Sequence, residues 1–134
     1  MDTSAWVALT FARDQHHEDA AACFRELNKS RTYLVTTDYV LDETLTLLKR
    51  RAIPANRIAA FYKQLHLAEV KGTLKLVFMD RGVFNEAWEQ FQSYSDQTLS
   101  FTDCATFAVA RSLNVDAVFT FDRRFELAGF RLIP

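Results

Sequence analysis

Only three glycines and two prolines occur among the 134 residues, and only two cysteines. Average chains carry about 7% Gly and 5% Pro. This poverty of turn formers speaks against turn-dense all-β folds, collagen-like repeats and Gly-rich phosphate loops. Cys23 and Cys104 lack any C-x-x-C spacing and fall inside apolar helical patterns. A disulfide framework or zinc knuckle needs more, so both are expected as buried free thiols in a reducing compartment. No apolar run approaches the ~20 residues of a membrane span, and no basic-then-apolar leader opens the chain. Nor is there an excess of one charge: sixteen basic and seventeen acidic side chains leave a formal −1. That excludes a generally basic nucleic-acid-coating protein, though not a local phosphate site. A soluble, cytoplasmic protein is the expectation.

What is present is an ordinary globular balance, 49% hydrophobic and 25% charged, with no linker or repeat. One domain spanning residues 1–134 is expected, and it can bury about two-thirds of its unfolded surface. Periodicity predicts helices over Thr3 to about Thr10, about His17–Asn28, Thr37 or Asp38 to about Arg51, Pro54 to about Glu69, and Arg81–Tyr94. A further helix runs from Ser100 to Asn114. In the Arg81–Tyr94 helix, Val83, Phe84, Ala87, Trp88 and Phe91 are expected to face inward. Compact β-branched and aromatic runs predict strands at Tyr33–Thr36, Leu74–Phe78, Ala117–Thr120 and Arg131–Ile133. Strands separated by helices need crossover connections, so the fold class is α/β, three layers with a short, mostly parallel central sheet.

In an open parallel sheet, ligands bind beyond the carboxyl ends of the strands, where the following helices begin. The polar residues expected at that edge are nearly all acids: Asp2, Asp38, Asp42, Glu43, Asp80, Asp103 and Asp122. Gathered carboxylates repel one another, and a hard divalent cation relieves the conflict. All-oxygen donors favour magnesium or manganese over zinc. Each acid also has a plain structural reading. Asp38 and Asp80 read as helix caps, and Ser100-Phe101-Thr102-Asp103 resembles a capping box. Asp42 and Glu43 lie about 100° apart around a helix, so only one faces the site. Local pattern does not choose between them. The histidines (His16, His17 and His66) read as surface or packing residues, with no paired-histidine or Ser-His-Asp arrangement.

Four motifs stand in order: Asp2-Thr3-Ser4; Thr37-Asp38-Tyr39-Val40-Leu41-Asp42-Glu43-Thr44; Phe101-Thr102-Asp103-Cys104; and Thr120-Phe121-Asp122-Arg123-Arg124-Phe125. Together they resemble the motifs of PIN-domain proteins, and closely those of VapC-like toxin ribonucleases of type II toxin–antitoxin systems. The resemblance covers essentially the whole chain. It implies a three-layer α/β/α fold and a Mg²⁺-dependent endoribonuclease, with Mn²⁺ as a substitute. RNA phosphodiesters would be hydrolysed by metal-activated water. By that resemblance Asp2, Glu43 and Asp103 match the family's three core metal-binding acids and Asp122 the more variable fourth. Thr3, Ser4, Thr102 and Thr120 place hydroxyls beside them, to orient carboxylates or to cap helices.

Candidate phosphate contacts are Arg123 and Arg124 beside Asp122, and Lys49, Arg50 and Arg51 at a helix end. The latter run also reads as a solvated, dipole-favoured face. Apolar residues spread around the third helix (Val40, Leu41, Leu45, Leu47, Leu48) and line the fourth (Ile58, Phe61, Tyr62, Leu65), which suggests a partner surface. The resemblance implies a homodimer, and a cognate antitoxin protein that covers this region and blocks the site. Two competitors remain. One is a catalytically silent PIN-like RNA- or protein-binding module. The other is a phospho-acceptor regulator, disfavoured because no Lys follows a late strand. The family usually places an apolar strand before the first acid, whereas here only Met1 precedes Asp2. The first strand is therefore expected to be a stub, with Asp2 weakly anchored, and a fuller sheet is expected in any chain extended upstream.

Overall fold

The computed structural model describes residues 1–134. Two helices form its centre because their sequences are apolar all round. Helix α1 (Thr3–Thr10) buries Thr3, Ala5, Trp6, Val7 and Ala8. The later helix Phe101–Ser112 buries every residue from Asp103 to Ala110. A helix buried on all sides has no polar stripe, and neither has one.

Around them, in chain order, stand α2 (His17–Lys29), strand β1 (Leu34–Thr37), α3 (Asp38–Arg50), α4 (Ala55–Val70), β2 (Leu74–Val77) and α5 (Arg81–Ser93). The central Phe101–Ser112 helix is α6, followed by β3 (Val118–Phe119), a 3₁₀ segment at Arg123–Ala128 and β4 (Leu132–Ile133). Every expected helix and strand is present. The 3₁₀ segment is the addition. Asn114 closes α6 in the left-handed region, at φ 49°, a conformation Asn tolerates well.

The sheet is parallel but divided. β1 pairs only with β2, Leu34 opposite Leu74 through Thr37 opposite Val77. β3 pairs only with β4, Val118 opposite Leu132. Residues 1 and 2 form no strand. They link the halves end to end instead: the Met1 amino group donates to the Val35 carbonyl at 2.5 Å and the Asp2 amide to the Phe119 carbonyl at 3.1 Å. A cleft of about 750 Å³ lies between the half-sheets, lined among others by Thr36, Thr37, Val118, Phe119 and Ile133. The expected stub is thus reduced to these two bonds.

Two expectations about packing change. Most of the apolar excess of α3 is absorbed by the chain itself, since Val40, Leu41 and Leu48 are buried against Trp6, Leu65 and Leu74 or against Val7 and Ile53. In α5 only Ala87 and Gln90 are fully buried, while Phe84, Trp88 and Phe91 remain 38%, 48% and 38% exposed. The reason is close approach. Ala87 packs beside Cys104, Ala105 and Ala108 of α6, and small residues let two helices draw together while large rings are pushed to the flank. The rings of Phe84 and Phe91 lie 5.1 and 5.8 Å from Phe101, at the site edge of α6. Cys104 is buried and Cys23 half-buried, both as free thiols. No helix is long and apolar enough to cross a membrane.

Candidate active site

The two central helices begin on the same side of the molecule, and an acid takes part in the capping of each. Asp2 is the N-cap of α1 and is 4% exposed. Its Oδ2 accepts from the Ser4 amide (3.2 Å), the Ser4 hydroxyl (2.8 Å) and the Thr120 hydroxyl (2.8 Å). The expectation of a weakly held Asp2 is therefore corrected. Hydroxyls from α1 and from the end of β3 hold this carboxylate, so a preceding strand is not required. Its Oδ1 accepts no hydrogen bond and retains solvent access.

Asp103 repeats the pattern. It closes a capping box in which the Ser100 amide donates to Oδ2 at 2.7 Å and the Ser100 hydroxyl accepts from the Asp103 amide at 3.1 Å. Asp103 is 6% exposed, yet Oδ1 makes no hydrogen bond within the chain and is not sealed off. Burial raises its pKa above the usual carboxylate range. The Ser100 hydrogen bonds oppose that rise, Asp2 adds to it and Arg124 opposes it.

On α3 the choice left open by local pattern falls in space. Asp42 is exposed, whereas Glu43 is half-buried and its Oε2 accepts from the Thr3 hydroxyl at 2.6 Å. Asp122 caps the 3₁₀ segment, with Oδ1 accepting from the Arg124 amide at 2.9 Å. Both of its oxygens are taken by the Arg124 side chain: Nε lies 2.9 Å from Oδ1 and 2.8 Å from Oδ2, and a terminal nitrogen also pairs with Oδ2. Burial alone would raise Asp122, but the hydrogen bonds and charge of Arg124 outweigh it and hold Asp122 below the usual range.

The remaining candidates separate cleanly. Three of the four motif hydroxyls touch acids: Thr3 on Glu43, and Ser4 and Thr120 on Asp2. Ser4 also accepts from the Phe121 amide and Thr120 from the Asp122 amide, which ties the fourth motif to the first. Thr102 offers only its carbonyl, to Thr106. Arg123 is exposed and Arg124 turns inward. Lys49, Arg50 and Arg51 stand at the far end of α3, where Arg51 pairs with Asp14 at 2.7 Å. Asp80 caps α5, with its Oδ1 2.9 Å from the Val83 amide nitrogen, and Asp38 accepts from the Met79 amide, so both have local structural work. The histidines do not meet the acids: His16 stacks on Phe121, His17 bonds the Ala8 carbonyl and His66 lies beside Glu69.

No three His, Cys, Asp or Glu side chains converge into a ready-formed metal cage. The donor chemistry nevertheless fits a hard cation. Asp2, Glu43 and Asp103 each have one oxygen fixed by the protein and the other unclaimed. The role of Arg124 had no signal in the sequence beyond its place next to Asp122.

A PIN domain family model matches residues 1–131. This chain belongs to the PIN domain family. It is 33% identical over 131 residues to the 23S rRNA-specific endonuclease VapC20 of Mycobacterium tuberculosis, covering 97% of this chain and 93% of that protein. To a VapC ribonuclease of Archaeoglobus fulgidus it is 29% identical over 129 residues, covering 95% and 78%. The crystal structure of Mycobacterium tuberculosis VapC20, a Sarcin-Ricin loop cleaving toxin, superposes with a TM-score of 0.79 at 29% identity, over 96% of this chain and 93% of that one. The chain is VapC-like in sequence and fold.

Proposed function

We propose that this chain is a Mg²⁺-dependent endoribonuclease, the toxin of a toxin–antitoxin pair. The observation behind it is the half-satisfied state of three acids: Asp2, Glu43 and Asp103 each hold one oxygen in place and leave the other free. Structural work alone would not require each of these acids, from three separate motifs, to keep an oxygen unclaimed. The relatives named as endonuclease and ribonuclease support the same reading.

In this reading Asp2, Glu43 and Asp103 hold the cation and Asp122 joins them. A Mg²⁺ ion held by these acids would supply Lewis-acid polarisation of a phosphate and a lowered pKa for an attacking water. The chain's own work is orientation. Ser4 and Thr120 fix the plane of the Asp2 carboxylate, Thr3 fixes Glu43, and the Ser100 amide fixes Asp103. Such outer partners set ligand direction and basicity. Arg123, exposed at the rim, is a phosphate contact. For an antitoxin, the apolar groove of about 590 Å³ between α2 and α4, whose lining includes Phe24, Phe61, Leu65 and Leu67, is the docking face of this reading.

Incubation with ribosomal RNA, followed by mapping of the cut ends, tests the reading. We expect cleavage that EDTA abolishes and that Asp103→Asn removes with the fold retained. Unchanged cleavage by that variant overturns the assignment. One observation favours a silent binding module instead, namely that Arg124 already occupies Asp122. Calorimetry separates the two: absence of Mn²⁺ or Mg²⁺ binding at millimolar concentration selects the silent module.

A further inference from the structure

Arg124 lies next to the acid of the fourth motif, a place suited to an RNA phosphate contact, but its guanidinium points at carboxylates. It grips both oxygens of Asp122, and it donates to the Thr98 carbonyl. The same head stands 3.8 Å from Asp103 Oδ2. Arg123, one residue earlier, is exposed and makes no ion pair. A cluster of acids thus finds its counter-charge within its own chain, on one of two adjacent arginines.

We propose that Arg124 is an internal stand-in for the divalent cation, which neutralises the carboxylates in the metal-free protein and must release Asp122 before an ion is held there. The inference rests on the metal reading above and adds a competitor to it. A guanidinium is permanently charged, so it does not vacate the site by losing a proton. It has no lone pair to offer an ion, and its hydrogen bonds together with the Arg124 amide fill the roughly four acceptor positions of the Asp122 carboxylate, so an ion reaches these oxygens only where the fork lets go.

The side chain has room to leave, being 41% exposed. Its backbone need not follow, because buried Phe125 and the left-handed cap Gly129 hold the 3₁₀ segment that continues from it. Once released, the planar fork is matched to a phosphate in the same two-pronged way that it matches Asp122. Arg124 would then serve as an RNA contact only in the metal-loaded protein. The competing role is a plain staple that ties the Thr98 loop to the Asp122 turn.

Titration with Mn²⁺ alone, followed by calorimetry, tests this on the wild type, Arg124→Gln, Arg124→Lys and Arg123→Gln. Arg124→Gln is expected to bind Mn²⁺ about five- to tenfold more tightly, the scale of one ordinary hydrogen bond that no longer has to be broken, since solvent screens the partly exposed pair. Arg124→Lys, which keeps the charge and loses the fork, should fall between. Arg123→Gln removes the same charge one residue away and should change little. In a parallel ¹⁵N NMR titration of the wild type with Mg²⁺, the Arg124 Nε–H resonance should shift as sites fill. Equal, measurable affinities in the wild type and a folded Arg124→Gln would leave the staple and overturn the stand-in. Should Arg124→Gln fail to fold, an affinity of Arg124→Lys equal to wild type overturns the stand-in just as well. Failure of every protein to bind Mn²⁺ at millimolar concentration would instead sink the metal reading, and this inference with it.

Discussion

At the scale of single residues, Asp103 serves two masters. One oxygen completes a capping box, which a neutral side chain with an acceptor can also do. The other oxygen has no partner in the chain, and burial makes the charge costly even with Arg124 3.8 Å from Oδ2. The sign follows from linkage: a carboxyl whose folded pKa lies above its unfolded one destabilises the fold wherever it is ionised. Asp103→Asn should therefore melt at the wild-type temperature or somewhat above it without metal, as read by calorimetry near pH ~7. Cleavage should fall by at least about 100-fold, beyond the ~10–100-fold typical of changing an outer partner. A drop in melting temperature would mean that the charge itself is structural. Thr120→Val removes an outer partner of Asp2 while nearly keeping its shape, and should cost about 10–100-fold in Mn²⁺ affinity or cleavage.

Asp122 runs the other way. Its folded pKa is held down by Arg124, so its contribution is present above the ordinary aspartate range, near ~3.9, and is lost as pH falls through the lowered value. Asp122→Asn should lower the melting temperature near neutral pH, and the two proteins should converge in acid as the wild-type carboxylate is protonated. The effect is small, because Arg124 is partly exposed and solvent screens the pair. A constant gap across the whole range would show that the loss comes from packing rather than charge.

At the scale of elements, the acids that only cap can be told from those that also face the site. Asp80 caps α5 through the Val83 amide and meets none of the motif acids. Asp80→Ala should cost about 1 kcal/mol in denaturant unfolding and leave cleavage unaltered. Helix and strand positions were legible because period, caps and β-branched runs are local signals. So was the capping box at Ser100 and Asp103. The facing of α5 was not legible. Hydrophobicity alone put Phe84, Trp88 and Phe91 inward, but burial is decided by what lies opposite, and α6 offers Cys104, Ala105 and Ala108, which accept only the small Ala87 closely. The 3₁₀ segment was missed for a related reason. Arg123–Ala128 is too short to show a period, and its order comes from the Asp122 cap, the buried Phe125 and Gly129 at φ 81°.

At the scale of the whole molecule, the divided sheet explains how the site holds together without a strand leading into its first acid. Asp2 draws its position from Ser4, Thr120 and the Phe119 carbonyl, so the second half-sheet and α1 together do what a central strand would otherwise do. The same packing that keeps α1 and α6 at the centre leaves one aromatic stripe uncovered, Phe84, Trp88 and Phe91 on α5. Exposed rings in a row are costly in water, each able to bury roughly 150–250 Å², and family resemblance makes a second copy of this chain the occupant we propose. Three rings supply the centre of a patch of the ~800 Å² per partner that stable interfaces bury. Sedimentation velocity should then give a dimer for the wild type at micromolar concentration and a monomer for Trp88→Glu. The Trp88→Glu side chain meets solvent on the monomer surface, so its melting temperature measured at low concentration should stay near the wild type. A wild type that sediments as a monomer would end the proposal for this face. A Trp88→Glu dimer would move the interface elsewhere, with the exposed Tyr62, Leu67 and Val70 of α4 next to be changed.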